Sequence, residues 1–129
     1  MKVFIADDSA VVVERLADLL KEVPEARLVG QANDALNAVR DIQKVKPDVL
    51  ILDLQMPGGS GLDVLRAVRA HYPLLQILIC TNYPYPQYRE QCVTAGADFF
   101  LDKSIDFVKI PAILQELIEK EHKISPIVP

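Results

Sequence analysis

Apolar residues along the chain fall into two alternating kinds of cluster. Val3-Phe4-Ile5-Ala6, Val49-Leu50-Ile51-Leu52 and Ile77-Leu78-Ile79-Cys80 are short unbroken runs, the pattern of parallel strands covered on both faces. Between and after them apolar residues recur at helical spacing: Val12, Leu16, Leu19, Leu20 and Val23, then Leu36, Val39 and Ile42, then Leu62, Leu65 and Val68. Such spacing lines up one face of an amphipathic helix. Ala26–Ala32 and Ala97–Leu101 complete five strands, and Ile110, Ile113, Leu114, Leu117 and Ile118 give a final helix its apolar face. The order is (βα)₅, an α/β fold with a doubly wound, all-parallel sheet.

Punctuation agrees with these boundaries. Pro24 ends the first helical region, Asp34 can cap the second helix, Pro47 opens strand three, Ser60 can cap the third helix and Gly96 closes the fourth. No internal repeat or low-complexity tract interrupts the pattern. From about Lys120 the sequence EKEHKISPIVP loses its periodicity, so we expect one domain over residues 1–121 and a C-terminal tail or linker stub over residues 122–129.

Composition narrows the function. At 129 residues, half of them hydrophobic, the chain fits a single core. A formal net charge of −4 disfavours direct binding of nucleic acid or an anionic membrane surface, which Lys and Arg would have to drive. The opening MKVFIADDS is too short in apolar residues for a signal peptide, and no other run approaches bilayer length. A cytoplasmic location is expected. Cys80 and Cys92 show no metal-type spacing with His71 or His122 and read as buried free thiols.

The candidate chemistry lies at the strand ends. A doubly wound sheet binds its ligand beyond the carboxyl ends of the strands where strand order reverses, and in the flavodoxin-like order 2-1-3-4-5 that crevice lies between strands one and three. Asp7 and Asp8 directly follow strand one, and Asp53 directly follows strand three. Taken singly, Asp7 and Asp8 read more readily as caps of the first helix and Asp53 as the start of a loop. Together, crowded carboxylates repel unless a cation or hydrogen bonds compensate. Mg²⁺ suits them, because it takes hard oxygen ligands and often shares one or two carboxylates with a phosphate. Strands four and five end in Thr81 and Asp102-Lys103, which bring a hydroxyl and an ammonium to the same rim.

The blocks IADDS, LILDLQMPGGSGLDVL, ICTN and AGADFFLDKS, at their observed spacing, resemble the response-regulator receiver family, and the resemblance runs from Lys2 to about Glu119. It implies that Asp53 is the phosphoacceptor and that Asp7, Asp8 and Asp53 hold Mg²⁺ with the backbone carbonyl of Gln55. It also implies that Thr81 receives a phosphoryl oxygen, that Lys103 pairs with it, and that Thr81 and Phe100 form the switch. The implied donor is a histidine kinase or phosphotransfer protein. The implied output is a downstream protein partner or an effector domain beyond Pro129, with homodimerisation allowed. Such a domain assists its own phosphorylation and dephosphorylation but is not an enzyme in its own right.

The sequence departs from the family in three places. Ser104 replaces the usual proline after Lys103, and because a cis bond to a non-proline residue costs about 3 kcal/mol, we expect a trans bond and a reshaped loop. Asn82 stands where a small residue is usual and is followed by Tyr83; with Gln55 they would restrict water and slow loss of a phosphoryl group. The segment Tyr83-Pro84-Tyr85-Pro86-Gln87-Tyr88 predicts a helix starting near Pro86, with three tyrosines available to a partner. Gly58-Gly59 reads as a turn, since the lysine and spacing of a phosphate loop are missing. Three other functions compete. One is a phosphorylation-independent scaffold of the same fold. Another is a haloacid-dehalogenase-type Mg²⁺-dependent phosphatase, disfavoured because Leu54 and Gln55 occupy the place of its second acid. The last is a flavodoxin-type redox module, disfavoured by the absence of a hydroxyl-rich loop after strand one.

Overall fold

Strands β1 (Lys2–Ala6), β2 (Arg27–Ala32), β3 (Val49–Leu52), β4 (Gln76–Thr81) and β5 (Phe99–Asp102) form one parallel sheet in the order β2-β1-β3-β4-β5. In this computed structural model, which describes residues 1–124, the strands alternate with helices α1 (Ala10–Leu20), α2 (Ala35–Val45), α3 (Gly61–His71), α4 (Pro86–Thr94) and α5 (Ile110–Ile124). The expected (βα)₅ fold and strand order are therefore present. Helix α5 continues three residues beyond the expected boundary at 121; residues 125–129, the rest of the expected tail, lie outside the described residues. Among the described residues no helix is long and apolar enough to cross a membrane.

The unbroken apolar runs are explained by the two layers. Successive side chains of a strand point to opposite faces, and here both faces are covered. Phe4, Leu50, Leu52, Ile77, Ile79 and Phe100 pack with Ala38, Ile42, Val64, Leu65, Val68 and Cys92 of α2, α3 and α4. On the other face Val3, Ile5, Ile51, Leu78 and Leu101 pack with Leu16 and Leu20 of α1 and Ile110 and Leu114 of α5. Strand β3 is buried along its whole length, whereas edge strand β2 is mostly half-exposed, which is why its sequence carried the weakest signal.

Local chemistry fixes the helix ends. Asp34 caps α2 by accepting the Asn37 N–H at 2.8 Å, and Ser60 with Asp63 forms a reciprocal capping box on α3. The cap of α1 is Ser9, whose hydroxyl accepts the Val12 N–H at 3.3 Å. That assignment releases Asp7 and Asp8 from the capping role either could have filled. Between β3 and α3, Gln55–Met56 and Gly59–Ser60 form a two-residue antiparallel ladder, a feature the hydrophobic pattern did not foretell. Gly58 and Gly59 turn it at φ +80° and +138°, values that favour glycine. No described peptide bond is cis, so Lys103–Ser104 is trans as expected.

Candidate functional site

Backbone hydrogen bonding carries the sheet one residue past its strand ends and so places the acids. The Asp7 N–H donates to the Ala32 carbonyl at 3.0 Å, and the Asp53 N–H donates to the Ala6 carbonyl at 2.9 Å. These bonds hold two residues far apart in sequence side by side above the crevice. The Lys103 N–H donates likewise to the Thr81 carbonyl at 2.9 Å, fixing the ammonium's stem to the same rim.

The side chains converge accordingly. Lys103 Nζ lies 2.7 Å from Asp7 Oδ2 and 3.3 Å from Asp53 Oδ2. The remaining oxygens accept backbone donors: Asp7 Oδ1 from the Ser9 N–H at 2.9 Å, and Asp53 Oδ1 from the Gln55 N–H at 3.2 Å. Asp7, Asp53, Thr81 and Lys103 are all buried, while Asp8 is exposed. One carboxylate oxygen from each of Asp7, Asp8 and Asp53 lies within 4.8 Å of the others. One ammonium thus serves two of three clustered carboxylates, and the excess of hard oxygen donors fits a small divalent cation such as Mg²⁺.

Burial acts on both members of the ion network. It pushes the Asp53 carboxyl up; Lys103 pulls it down, the neighbouring Asp7 charge adds to the rise, and the outcome is about 6. Burial also pulls the Lys103 ammonium down, but the Asp7 hydrogen bond and the Asp53 and Asp7 charges outweigh it, leaving Lys103 above the ordinary lysine value. The two directions are compatible: the lysine stays charged while Asp53, facing a second carboxylate, is the group that resists ionisation. Under the sheet rim Cys80 is a free, buried thiol pushed up to about 12, chiefly by burial.

The other candidate residues surround this centre. Thr81 Oγ1 accepts the Tyr83 N–H at 2.9 Å. Phe100 and Phe99 pack on opposite faces of the sheet, Phe100 with the α2–α4 layer and Phe99 with the α1–α5 layer. Gln55, Asn82 and Tyr83 present exposed side chains near the rim, and the Tyr83 ring leans on Tyr85 with centroids 6.4 Å apart. After Lys103 the chain is braced where proline is missing: Ser104 donates from both N–H and hydroxyl to Asp102 Oδ1, at 2.8 and 2.6 Å, and the Asp102 N–H donates to Asp106 Oδ2 at 2.8 Å.

Sequence reasoning passed over Gly61. Its N–H donates to the Leu54 carbonyl at 2.9 Å, and a Cβ built there would stand 2.0 Å from the Asp53 carbonyl oxygen and 2.7 Å from Leu54 Cα. Glycine lets α3 start directly against the backbone that carries Asp53. The only trace in the sequence is a glycine at the first position of a helix, immediately after its serine cap.

Comparison with known proteins agrees with this geometry. A family profile described as response regulator receiver domain matches residues 3–115. Over 91% of its length the chain is 32% identical to the DNA-binding transcriptional activator DevR/DosR of Mycobacterium tuberculosis, of which it covers 54%. It is 40% identical over 61% of its length to a protein-glutamate methylesterase/protein-glutamine glutaminase of Pyrococcus horikoshii, covering 22% of that protein. The chain thus spans about half or less of these relatives, and in the methylesterase the likeness is confined to that fraction. Among solved structures, the isolated receiver domain of RcsB from Salmonella enterica serovar Typhimurium, determined with the phosphomimetic BeF₃⁻, superposes with a TM-score of 0.86 at 26% identity, covering 92% of this chain and 88% of that one.

Proposed function

The chain belongs to the response regulator receiver domain family, and from that premise we propose that it is a phosphoryl-operated switch with Asp53 as acceptor. The observation that carries this reading is the meeting of Asp7, Asp8 and Asp53 within 4.8 Å, with the Lys103 ammonium touching two of them. Asp7, Asp8, Asp53 and the Gln55 backbone carbonyl would hold Mg²⁺, which when bound supplies positive charge where phosphoryl transfer develops negative charge.

Asp53 attacks phosphorus as a carboxylate, giving an acyl phosphate as the donor's bond to phosphorus breaks. Its hydrogen bond from Gln55 orients the carboxyl plane, and Lys103 exchanges its contact with Asp53 for one with a phosphoryl oxygen. Thr81 turns its hydroxyl from the Tyr83 N–H toward the new group, and Phe100 repacks in response. Because only a group with different interactions in two states can shift their balance, Thr81 and Phe100 are the elements that convert modification into a changed surface. The phosphoryl donor is a histidine kinase or phosphotransfer protein. The changed surface is read by a downstream protein or an attached effector domain.

Incubation with Mg²⁺ and a small-molecule phosphodonor, followed by mass spectrometry, tests the reading. The native protein gains one alkali- and hydroxylamine-labile phosphoryl group and Asp53→Ala gains none. No uptake by native protein, or equal uptake by the variant, would leave only a scaffold of this fold. Gln55, Asn82 and Tyr83 limit water at the rim, so Asn82→Ala/Tyr83→Ala loses the phosphoryl group faster than native; equal lifetimes would remove those residues from the account.

A further inference from the structure

Helix α4 is held to the sheet unevenly. Near its C-terminal end Cys92 is buried, its carbonyl accepts the Ala97 N–H at 2.9 Å, and the Gly96 carbonyl accepts two hydrogen bonds from Arg69, at 3.0 and 2.7 Å. At the other end the cap residue Tyr85 offers no side-chain hydrogen bond, and residues 83–87 are all exposed. Two contacts hold this loose half to the body of the domain. Tyr88 packs, half-buried, against the core, and the Arg89 guanidinium lies over the Phe100 ring, 5.5 Å from its centroid.

The charge of Arg89 is also felt in the loop after β5. The Asp106 carboxyl is held below the usual carboxylate range first by the Lys109 ammonium, then by the Asp102 N–H, and in smaller part by the Arg89 charge. The side-chain contact of Arg89 is with Phe100 of β5, and only its charge reaches the loop after β5. The attraction between a guanidinium and a ring face fades beyond about 6 Å, so small movements of either group decide whether it exists.

We propose that Arg89 is the positioning residue that latches α4 to Phe100: it holds the N-terminal half of the helix where it stands here and must let go for movement at Phe100 to become movement of α4. This rests on the switch reading given above. The well-anchored C-terminal end then serves as the pivot, and the exposed Tyr83 and Tyr85 travel with the free end. A planar guanidinium stacks on a ring in a way an ammonium does not, so lysine is only a partial substitute.

The test reads amide hydrogen exchange and the Phe100 ring resonances in native protein, Arg89→Ala, Arg89→Lys and, as a surface control, Glu90→Ala, each with and without Mg²⁺ and beryllofluoride. Without beryllofluoride, Arg89→Ala exchanges the amides of residues 89–91 about two- to five-fold faster, the range for an exposed contact of this kind. The amides of Ala95 and Ala97 keep their native rates, the Phe100 ring shifts, and Arg89→Lys falls between. With beryllofluoride the native protein and Arg89→Ala converge, because the latch is already open. Exchange that rises evenly over the sheet, or a result no different from Glu90→Ala, overturns the proposal. Phosphoryl uptake on the same samples separates the two failures: no uptake by native protein strikes the role of Asp53, whereas native exchange in Arg89→Ala strikes the latch.

Discussion

The two ends of the sheet carry ion clusters of opposite character. At the end away from the acids, Arg69 of α3 donates to the carbonyls of Tyr72, Pro73, Leu75 and Gly96 and to Asp98 Oδ2, and Asp98 in turn accepts the Ile77 N–H at 2.8 Å. One guanidinium meets one carboxylate, and the surplus donors are spent on backbone. At the acid rim three carboxylates cluster beside one ammonium that touches two of them, and burial holds Asp53 half-protonated near pH 6. The first cluster is complete within the chain and serves to clamp the starts of β4 and β5 to the ends of α3 and α4. The second is left short of positive charge, which makes it costly to the fold and receptive to a cation.

If that contrast is right, the complete cluster should matter most to stability and least to chemistry. Arg69→Ala leaves several carbonyls and Asp98 without their donor, and we expect a loss of about 3 kcal/mol in denaturant unfolding. Phosphoryl uptake by the protein that remains folded should stay native. A loss below about 1 kcal/mol would make the clamp an ordinary surface pair and erase the difference between the ends.

Lys103→Met probes the other end with a smaller and conditional effect. Removing the ammonium costs about 2 kcal/mol at pH 8 without divalent cations, because two buried carboxylates lose their partner. At pH 5 the cost shrinks, since Asp53, its carboxyl raised to about 6, has taken up a proton and leaves less charge for Lys103 to balance. Lysine itself does not set this window: its raised value keeps it charged throughout, and its contribution would fade only as pH climbed through that value. Added Mg²⁺ should restore part of the loss. A cost independent of both pH and Mg²⁺ would show Lys103 to be packing rather than countercharge.

The legibility of these two ends in the sequence differs for a physical reason. Buried parallel strands require continuous apolar runs, so β1, β3 and β4 could be read to within a residue, and the acids followed because they directly succeed two of those runs. Thr81 and Lys103 were found the same way. What a sequence does not display is backbone meeting backbone. The partners of Arg69 are carbonyls, which carry no residue identity, and Gly61 matters because the Asp53 carbonyl passes where a Cβ would be. Nothing in the letters distinguished buried Asp7 from exposed Asp8 either, and the ladder at Gln55 and Ser60 is too short to leave a period.

The finest discrimination comes from the titration of Asp53. Its carboxyl lies near 6 in the fold against 3.8 in its absence, so the native state holds a proton more tightly than the unfolded chain between those values. Stability contributed by this group is therefore complete below pH 4 and declines as pH rises to about 6, levelling off above. The shift sets a ceiling of about 3 kcal/mol, and water reaching the rim should reduce the observed decline to about 1–2 kcal/mol. Asp53→Asn has no charge to suppress, so its stability should not show this decline, and at pH 8 it should exceed native stability by a similar amount. On the proposed reading Mg²⁺ takes the ionised site, so at pH 8 it should narrow the gap by stabilising the native protein more than the variant. Parallel pH profiles for the two proteins would mean that Asp53 is as well compensated as Asp98, and that the rim has no charge deficit for a cation to fill.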